Sequence, residues 1–335
     1  MVSNGLYPLK FRSIFKKTPW GGNRLGALFG KDVPLGGGVG ESWEVADRDS
    51  DNSVIANGIY KDMRLHQLLE GAGVADVLGR EYMHGCGSGD RFPLLVKFID
   101  TAERLSLQVH PDDSYVRAHE APGASGKMEA WYVIHTEPGA WIIRGVRPGT
   151  TREGLEGSLG DSSLEDCLNF LPVRPGDVIF IPPGTLHTIG PGIVLLEVQQ
   201  NSDITYRLYD WGRLRELHVQ KALDVIDFAP SEEYSQNKIQ PILLSPPPRK
   251  RELLLECEKF VLESLELSEP CDIEHLRTFH VLTVVEGVSR IIYGQSADLE
   301  VSAGESVLIP AALQGYKLCP KGRCRIIKAG PPLVG

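Results

Sequence analysis

Pro175-Gly-Asp-Val-Ile-Phe-Ile-Pro-Pro-Gly-Thr-Leu-His187 reads as a short strand between two turns: Gly-Asp leads in, four β-branched, aliphatic or aromatic residues fill it, and Pro-Pro-Gly leads out. Ala303-Gly-Glu-Ser-Val-Leu-Ile-Pro-Ala-Ala-Leu-Gln-Gly315 aligns on it without a gap, and Tyr132-Val-Ile resembles His280-Val-Leu. The chain is therefore expected to hold two diverged copies of one β unit. In this register His187 becomes Gly315, and Glu129, three residues before Tyr132, becomes Arg277. A metal site in the first copy would be lost from the second.

Outward from this stretch, strand-like segments dominate: Leu94 to Ile99, Leu105 to Val109, Trp131 to His135, Trp141 to Arg144, Asp177 to Ile181, Ile193 to Gln199 and Thr205 to Tyr209. Helical spacing is confined to Leu65-Leu68-Leu69 with Val77-Leu78, to Leu155 through Phe170, and to Leu217-Leu223-Ile226. Such a mix predicts a mainly β protein, two β-barrels with a few accessory helices, rather than a parallel βαβ sheet. A polar, proline-rich stretch over residues 231–250 is the expected linker between a first domain, residues 1–230, and a C-terminal β domain, residues 251–335. The run Arg249-Lys250-Arg251 is read as the solvated end of that linker.

The composition excludes several classes. With 335 residues, 42% hydrophobic and 24% charged, the chain is neither disordered nor fibrous. Its apolar runs fall far short of the ~20 residues of a membrane helix, and no secretory signal opens it, so a cytoplasmic address with no membrane partner is expected. A formal charge of −9 argues against nucleic acid as a partner. The six cysteines, Cys86, Cys167, Cys257, Cys271, Cys319 and Cys324, show no C-x-x-C pair and are expected to be reduced. His66, His84, His119, His135, His218, His275 and His280 lack partner motifs and are read as surface or packing residues, and the five tryptophans as core.

Chemistry is concentrated in the first copy. Alternation along Leu105-Ser-Leu-Gln-Val-His110 puts Ser106, Gln108 and His110 on one face of a strand. Glu129 precedes a second strand and His187 follows a third, so two imidazoles, a carboxylate and an amide would converge from separate strands. Such a mixed nitrogen and oxygen set suits a zinc site with an open position better than a closed structural one.

These residues carry a family resemblance. Gln108-Val-His110-Pro, Gly126-Lys-Met-Glu129-Ala-Trp-Tyr, Pro182-Pro-Gly-Thr-Leu-His187 and Ser202-Asp-Ile-Thr-Tyr-Arg207-Leu-Tyr-Asp resemble the type I mannose-6-phosphate isomerases, zinc-dependent enzymes of cupin fold. Trp20-Gly-Gly-Asn-Arg-Leu, Gly40-Glu-Ser-Trp-Glu and Leu95-Val-Lys-Phe-Ile-Asp extend the likeness over most of the first 230 residues. The resemblance implies two cupin-type jelly-roll barrels, the first holding one zinc ion per chain on Gln108, His110, Glu129 and His187. It further implies Ser106 and Lys127 near the sugar's phosphate, Glu197 in proton transfer and Arg207 as the active-site arginine. Where larger members read Arg-Ala-Gly-x-Thr-Pro-Lys, this chain reads Arg207-Leu-Tyr-Asp-Trp-Gly-Arg213, similar to a short bacterial branch without the large helical insertion.

The chemistry so implied is interconversion of mannose 6-phosphate and fructose 6-phosphate through an enediol or enediolate. Such a reaction needs a proton carrier and positive charge where the oxyanion develops. Glu197 and Arg207 fill these roles, while Lys127 and Arg213 would hold the phosphate. Arg207 and Arg213 also have a structural reading, as ion-pair partners of Asp203 or Asp210. The alternatives are isomerisation of another aldose phosphate, a cupin oxygenase with redox iron, and a non-catalytic sugar-phosphate-binding bicupin; Gln108, where iron sites often carry histidine, argues against the oxygenase. The expected partner is a small sugar phosphate, and the chain is expected to be a monomer or weak dimer.

Overall fold

A computed structural model describes residues 5–85, 91–229, 238–274, 276–295 and 297–332. Cys86, His275 and residues 231–237 of the expected linker lie outside the described residues, as does the side chain of His84. Strands β1 to β12 are Leu9–Lys10, Ile14–Gly22, Val39–Val45, Leu94–Thr101, Leu107–Val109, Glu129–Thr136, Trp141–Val146, Leu168–Pro172, Val178–Ile181, His187–Ile189, Ile193–Gln200 and Tyr206–Tyr209. Strands β13 to β22 are Ile242–Ser245, Arg249–Glu256, Val261–Leu267, Cys271–Glu274, His280–Glu286, Val288–Tyr293, Ala297–Ser302, Ser306–Ile309, Gly315–Pro320 and Cys324–Gly330. Helices α1 to α7 are Arg24–Phe29, Leu65–Ala72, Val74–Leu78, Arg80–Gly85, Asp113–His119, Arg152–Gly157 and Val219–Val225. None of the described helices is long and apolar enough to cross a membrane.

The duplication is exact at the level of topology. One sheet of the first barrel runs β9-β6-β11-β4-β3-β2, and one sheet of the second runs β20-β17-β22-β15-β14-β13. The facing sheets run β8-β7-β10-β5 and β19-β18-β21-β16, with β12 added beyond β5. This is the mainly β, two-barrel jelly-roll architecture expected of the sequence. Strand pairing corrects the register in two places. Glu129 lies opposite Ile181, and the residue opposite the matching Ile309 is His280, not Arg277. His187 stands two residues before Ile189, which packs opposite Ile142 in the first interior. Tyr316, not Gly315, stands two before Leu318, which packs opposite Ile291 in the second. The 3₁₀ turn Ala311–Leu313 before β21 absorbs the difference, which an ungapped alignment does not register.

Two other expectations are corrected. Helical spacing from Leu155 to Phe170 breaks into α6, a 3₁₀ turn over Ser162–Cys167 and β8, where Phe170 pairs with Ile143. The second half of the expected linker is sheet: β13 pairs with β14, so Ile242 to Ser245 and Arg249 to Arg251 are hydrogen-bonded backbone. Arg251 is not a solvated linker end; its guanidinium donates to Glu263 at 2.7 Å.

The barrels are joined by a common core. β1, from the start of the chain, pairs with β20 through Leu9 and Leu308. One hydrophobic cluster takes Leu69, Leu78, Phe92 and Phe98 from the first part and Phe260, Phe279, Leu308 and Ile327 from the second. Phe279 packs 4.8 Å from Phe92 and 5.9 Å from Tyr82, ring centre to ring centre, and its N–H donates to the Leu78 carbonyl at 3.1 Å. Gly79 allows this approach: its φ is +97° and an added Cβ would lie 2.2 Å from the Arg277 carbonyl oxygen. Free cysteines are found at positions 167, 257, 271, 319 and 324.

Because all five tryptophans lie before residue 230, their fluorescence reports the first barrel alone. Phe279→Ala, in the second barrel, is expected to cost about 3–5 kcal/mol and to shift the tryptophan-detected urea transition. An unshifted transition would show that the two barrels unfold separately.

Candidate metal centre and active site

Three strands and their exits bring His110, Glu129 and His187 together in the interior of the first barrel, with candidate ligand atoms all within 4.8 Å of one another. His187 pairs with Gln108 across β10 and β5, so the alternation that turns Ser106, Gln108 and His110 to one face turns them to this point. All three cluster residues are 1% exposed.

Second partners fix the imidazoles. His110 Nδ1 lies 2.8 Å from the Ile204 carbonyl and His187 Nδ1 lies 2.8 Å from the Thr185 carbonyl. A carbonyl only accepts, so in each ring Nδ1 carries the proton and Nε2 presents its lone pair. These lone pairs face the Glu129 carboxylate at 3.4 and 3.3 Å. Both Glu129 oxygens are buried, and the Lys127 ammonium lies 3.1 Å from one of them. Burial would raise the Glu129 pKa, but the Lys127 ammonium beside it holds it well below the usual carboxylate range. Burial and then the Lys127 charge push His110 down to about 3, and burial lowers His187 too, so both rings are neutral.

Two imidazole lone pairs and an anionic carboxylate form a cation site by their chemistry. The positive charge among them is the Lys127 ammonium, 3.0 Å from His110 Nε2 and 3.1 Å from Glu129. Gln108 turns its amide nitrogen to His187 Nε2 at 3.2 Å, while its oxygen accepts from Ser106 at 3.1 Å. A half-turn of the amide exchanges the two atoms and offers the oxygen as a fourth ligand.

Beside this cluster runs a buried charge network. Lys97 lies 2.9 Å from Glu197 and 3.5 Å from Glu41, and Trp131 and Trp43 donate their indole N–H to Glu197 and Glu41 at 3.0 and 2.6 Å. Burial would lower the Lys97 pKa, but the two carboxylates raise it above its ordinary value. Burial and the Glu129 charge raise that of Glu197. Lys97 and Glu41 received no role from the sequence, although a lysine in the otherwise apolar run Leu94 to Ile99 was a usable signal.

Arg207 lies opposite Gln108 on β12, anchors Nη1 on the Glu216 carbonyl at 2.7 Å, and keeps a buried Nε without a partner. Arg213 is turned to Asp210, its Nε donating at 3.1 Å, and to the Arg104 carbonyl at 2.9 Å. Asp203 pairs with Arg48, not with either arginine.

Comparison with known proteins places this geometry in a family. The description of the phosphomannose isomerase type I catalytic domain matches residues 8–126. The mannose-6-phosphate isomerase ManA of Bacillus subtilis is 36% identical over 95% of this chain and 97% of its own. The chain belongs to the type I phosphomannose isomerases. A mannose-6-phosphate isomerase of Streptococcus mutans is 32% identical over 92% of this chain and 94% of its own. The crystal structure of mannose 6-phosphate isomerase from Bacillus subtilis superposes with a TM-score of 0.85 at 31% identity, over 96% of this chain and 99% of that one. That match extends through both barrels, so the second barrel is part of the type I phosphomannose isomerase chain as a whole.

Glu129→Gln keeps the shape and removes the charge that the imidazoles face. It is expected to weaken divalent metal binding at least about 100-fold, read by competition with a chromogenic chelator, while the circular dichroism spectrum is kept. Unchanged affinity would place the metal elsewhere.

Proposed function

We propose that this type I phosphomannose isomerase interconverts mannose 6-phosphate and fructose 6-phosphate through an enediolate, with one zinc ion per chain. The observation that carries the reading is the buried Glu129 carboxylate set between two imidazole lone pairs, with the Lys127 ammonium as the charge against it. A divalent ion held by Gln108, His110, Glu129 and His187, zinc in this reading, would supply fixed positive charge beside the sugar oxygens.

Glu197 takes the proton from C2 of the aldose and returns it to C1, while the C2 hydroxyl proton passes to O1, so that atoms and charge balance between the isomers. A carboxyl with a raised pKa suits a group that must both accept and give a proton near neutrality. Lys97 and Trp131 fix the plane of that carboxylate from two sides. Arg207, with a buried Nε to offer, faces the developing oxyanion. Lys127 is the charge a metal ion would replace; released, it can meet the phosphate together with Ser106. Arg213 is committed to Asp210 and the Arg104 carbonyl. A cytoplasmic location fits a substrate of this class.

The purified protein is expected to convert mannose 6-phosphate, to lose the activity with chelator and to regain it with zinc. Glu197→Gln is expected to lower kcat about 10²- to 10⁴-fold with metal content unchanged. A folded, zinc-loaded protein without turnover would direct the reading to another aldose phosphate, or to a sugar-phosphate-binding bicupin.

A further inference from the structure

The second barrel carries, at the strand positions of the catalytic charge network, the same network with its signs reversed. In the first barrel Lys97 on β4 lies between Glu41 of β3 and Glu197 of β11. In the second, Glu263 on β15 lies between Arg251 of β14, at 2.7 Å, and Lys328 of β22, at 2.5 Å. The pairing makes the two sets equivalent. Glu197 is flanked by Lys97 and Trp131, and Lys328 by Glu263 and Leu282. Glu41 faces Ile99, two residues beyond Lys97, and Arg251 faces Leu265, two beyond Glu263. His280 occupies the place of Glu129 and hydrogen-bonds Tyr316 at 3.0 Å.

A set of two carboxylates around one ammonium, beside a third carboxylate, suits a cation. A set of two cations around one carboxylate, beside an imidazole, suits an anion. Burial, together with Lys328 and Arg251, keeps that imidazole uncharged. Arg251 turns one nitrogen to Glu263, while its Nε is buried and has no hydrogen-bond partner. Arg251, Cys271 and, at the mouth, Arg249 line a cavity of about 420 Å³, whose opposing charge is Glu269, 3.6 Å from Arg249. The larger cavity between the barrels, about 560 Å³, differs in that its lysines are already matched: Lys10 pairs with Glu305 at 2.7 Å and Lys31 with Glu44 at 2.8 Å.

We propose that the second barrel is a binding site for a small phosphate, free or on a small metabolite, held by Arg251 and Arg249 where they line this cavity, with Lys328 neutralising Glu263 behind them. The choice of phosphate among oxyanions rests on the reading of the first barrel; the anion site itself does not.

Titration calorimetry of the metal-loaded full chain tests this with inorganic phosphate in one arm and glycerol 3-phosphate in the other, the arm that binds identifying the source. Arg251→Gln and Glu263→Gln break the same ion pair, so a merely structural role moves both alike. An anion site moves them apart: Arg251→Gln is expected to weaken binding about tenfold and Glu263→Gln to tighten it about tenfold. Arg249→Gln, at an exposed side chain, keeps the fold and is expected to weaken binding about threefold, with isomerase activity in phosphate-free buffer unchanged. The proposal is overturned if neither ligand binds, if affinity is indifferent to these residues, or if it follows Lys127→Gln alone.

Discussion

A carboxylate buried against two imidazole lone pairs must be matched by positive charge, and the first barrel is arranged around that requirement at Glu129. In a low-dielectric interior an unmatched carboxylate would protonate or the site would flood. Neither imidazole relieves it, because the carbonyls of Ile204 and Thr185 take the ring N–H and leave lone pairs facing the acid. Lys127 can supply the charge, and so can a divalent ion; the same acceptors cannot hold both at full strength. Metal occupancy and the position of Lys127 are thereby linked.

The same economy governs the neighbouring network. Glu197 and Glu41 share one ammonium, Lys97; Trp131 donates to the other oxygen of Glu197, and Trp43 to the same oxygen of Glu41 that faces Lys97. One cation between two acids leaves a surplus of negative charge beside a metal centre, where a positive ion offsets it. In the second barrel the order of charges is reversed, and His280 and Tyr316 stand where Glu129 and His187 do in the first. Duplication has kept the lattice of strand positions and exchanged the sign of what occupies it. The core shared through Phe92 and Phe279 packs the two lattices against each other.

Much of this was legible in the sequence where it depends on alternation and local turns. The Gly-acid, strand, Ile-Pro repeat marks both β9 and β20, and period-two alternation turns Ser106, Gln108 and His110 to one side. Residues whose meaning depends on distant strands were not legible in the same way. Lys97 and Glu41 become a pair only because β3 and β4 are neighbours, and Arg251 reads as a linker charge until Glu263 is seen beside it. The substitution of Tyr316 for His187 was hidden by a turn that shifts the side-chain alternation by one residue. The strand β13 was masked by the prolines that flank it and by its exposed leucines, which carry no alternation.

X-ray absorption at the zinc edge of the metal-loaded protein tests the central claim most directly. The account predicts a shell of nitrogen and oxygen neighbours at about 2.0–2.2 Å, with outer-shell scattering from two imidazoles and no sulfur. A sulfur neighbour at about 2.3 Å, or the absence of imidazole scattering, would contradict a site built on His110, Glu129 and His187.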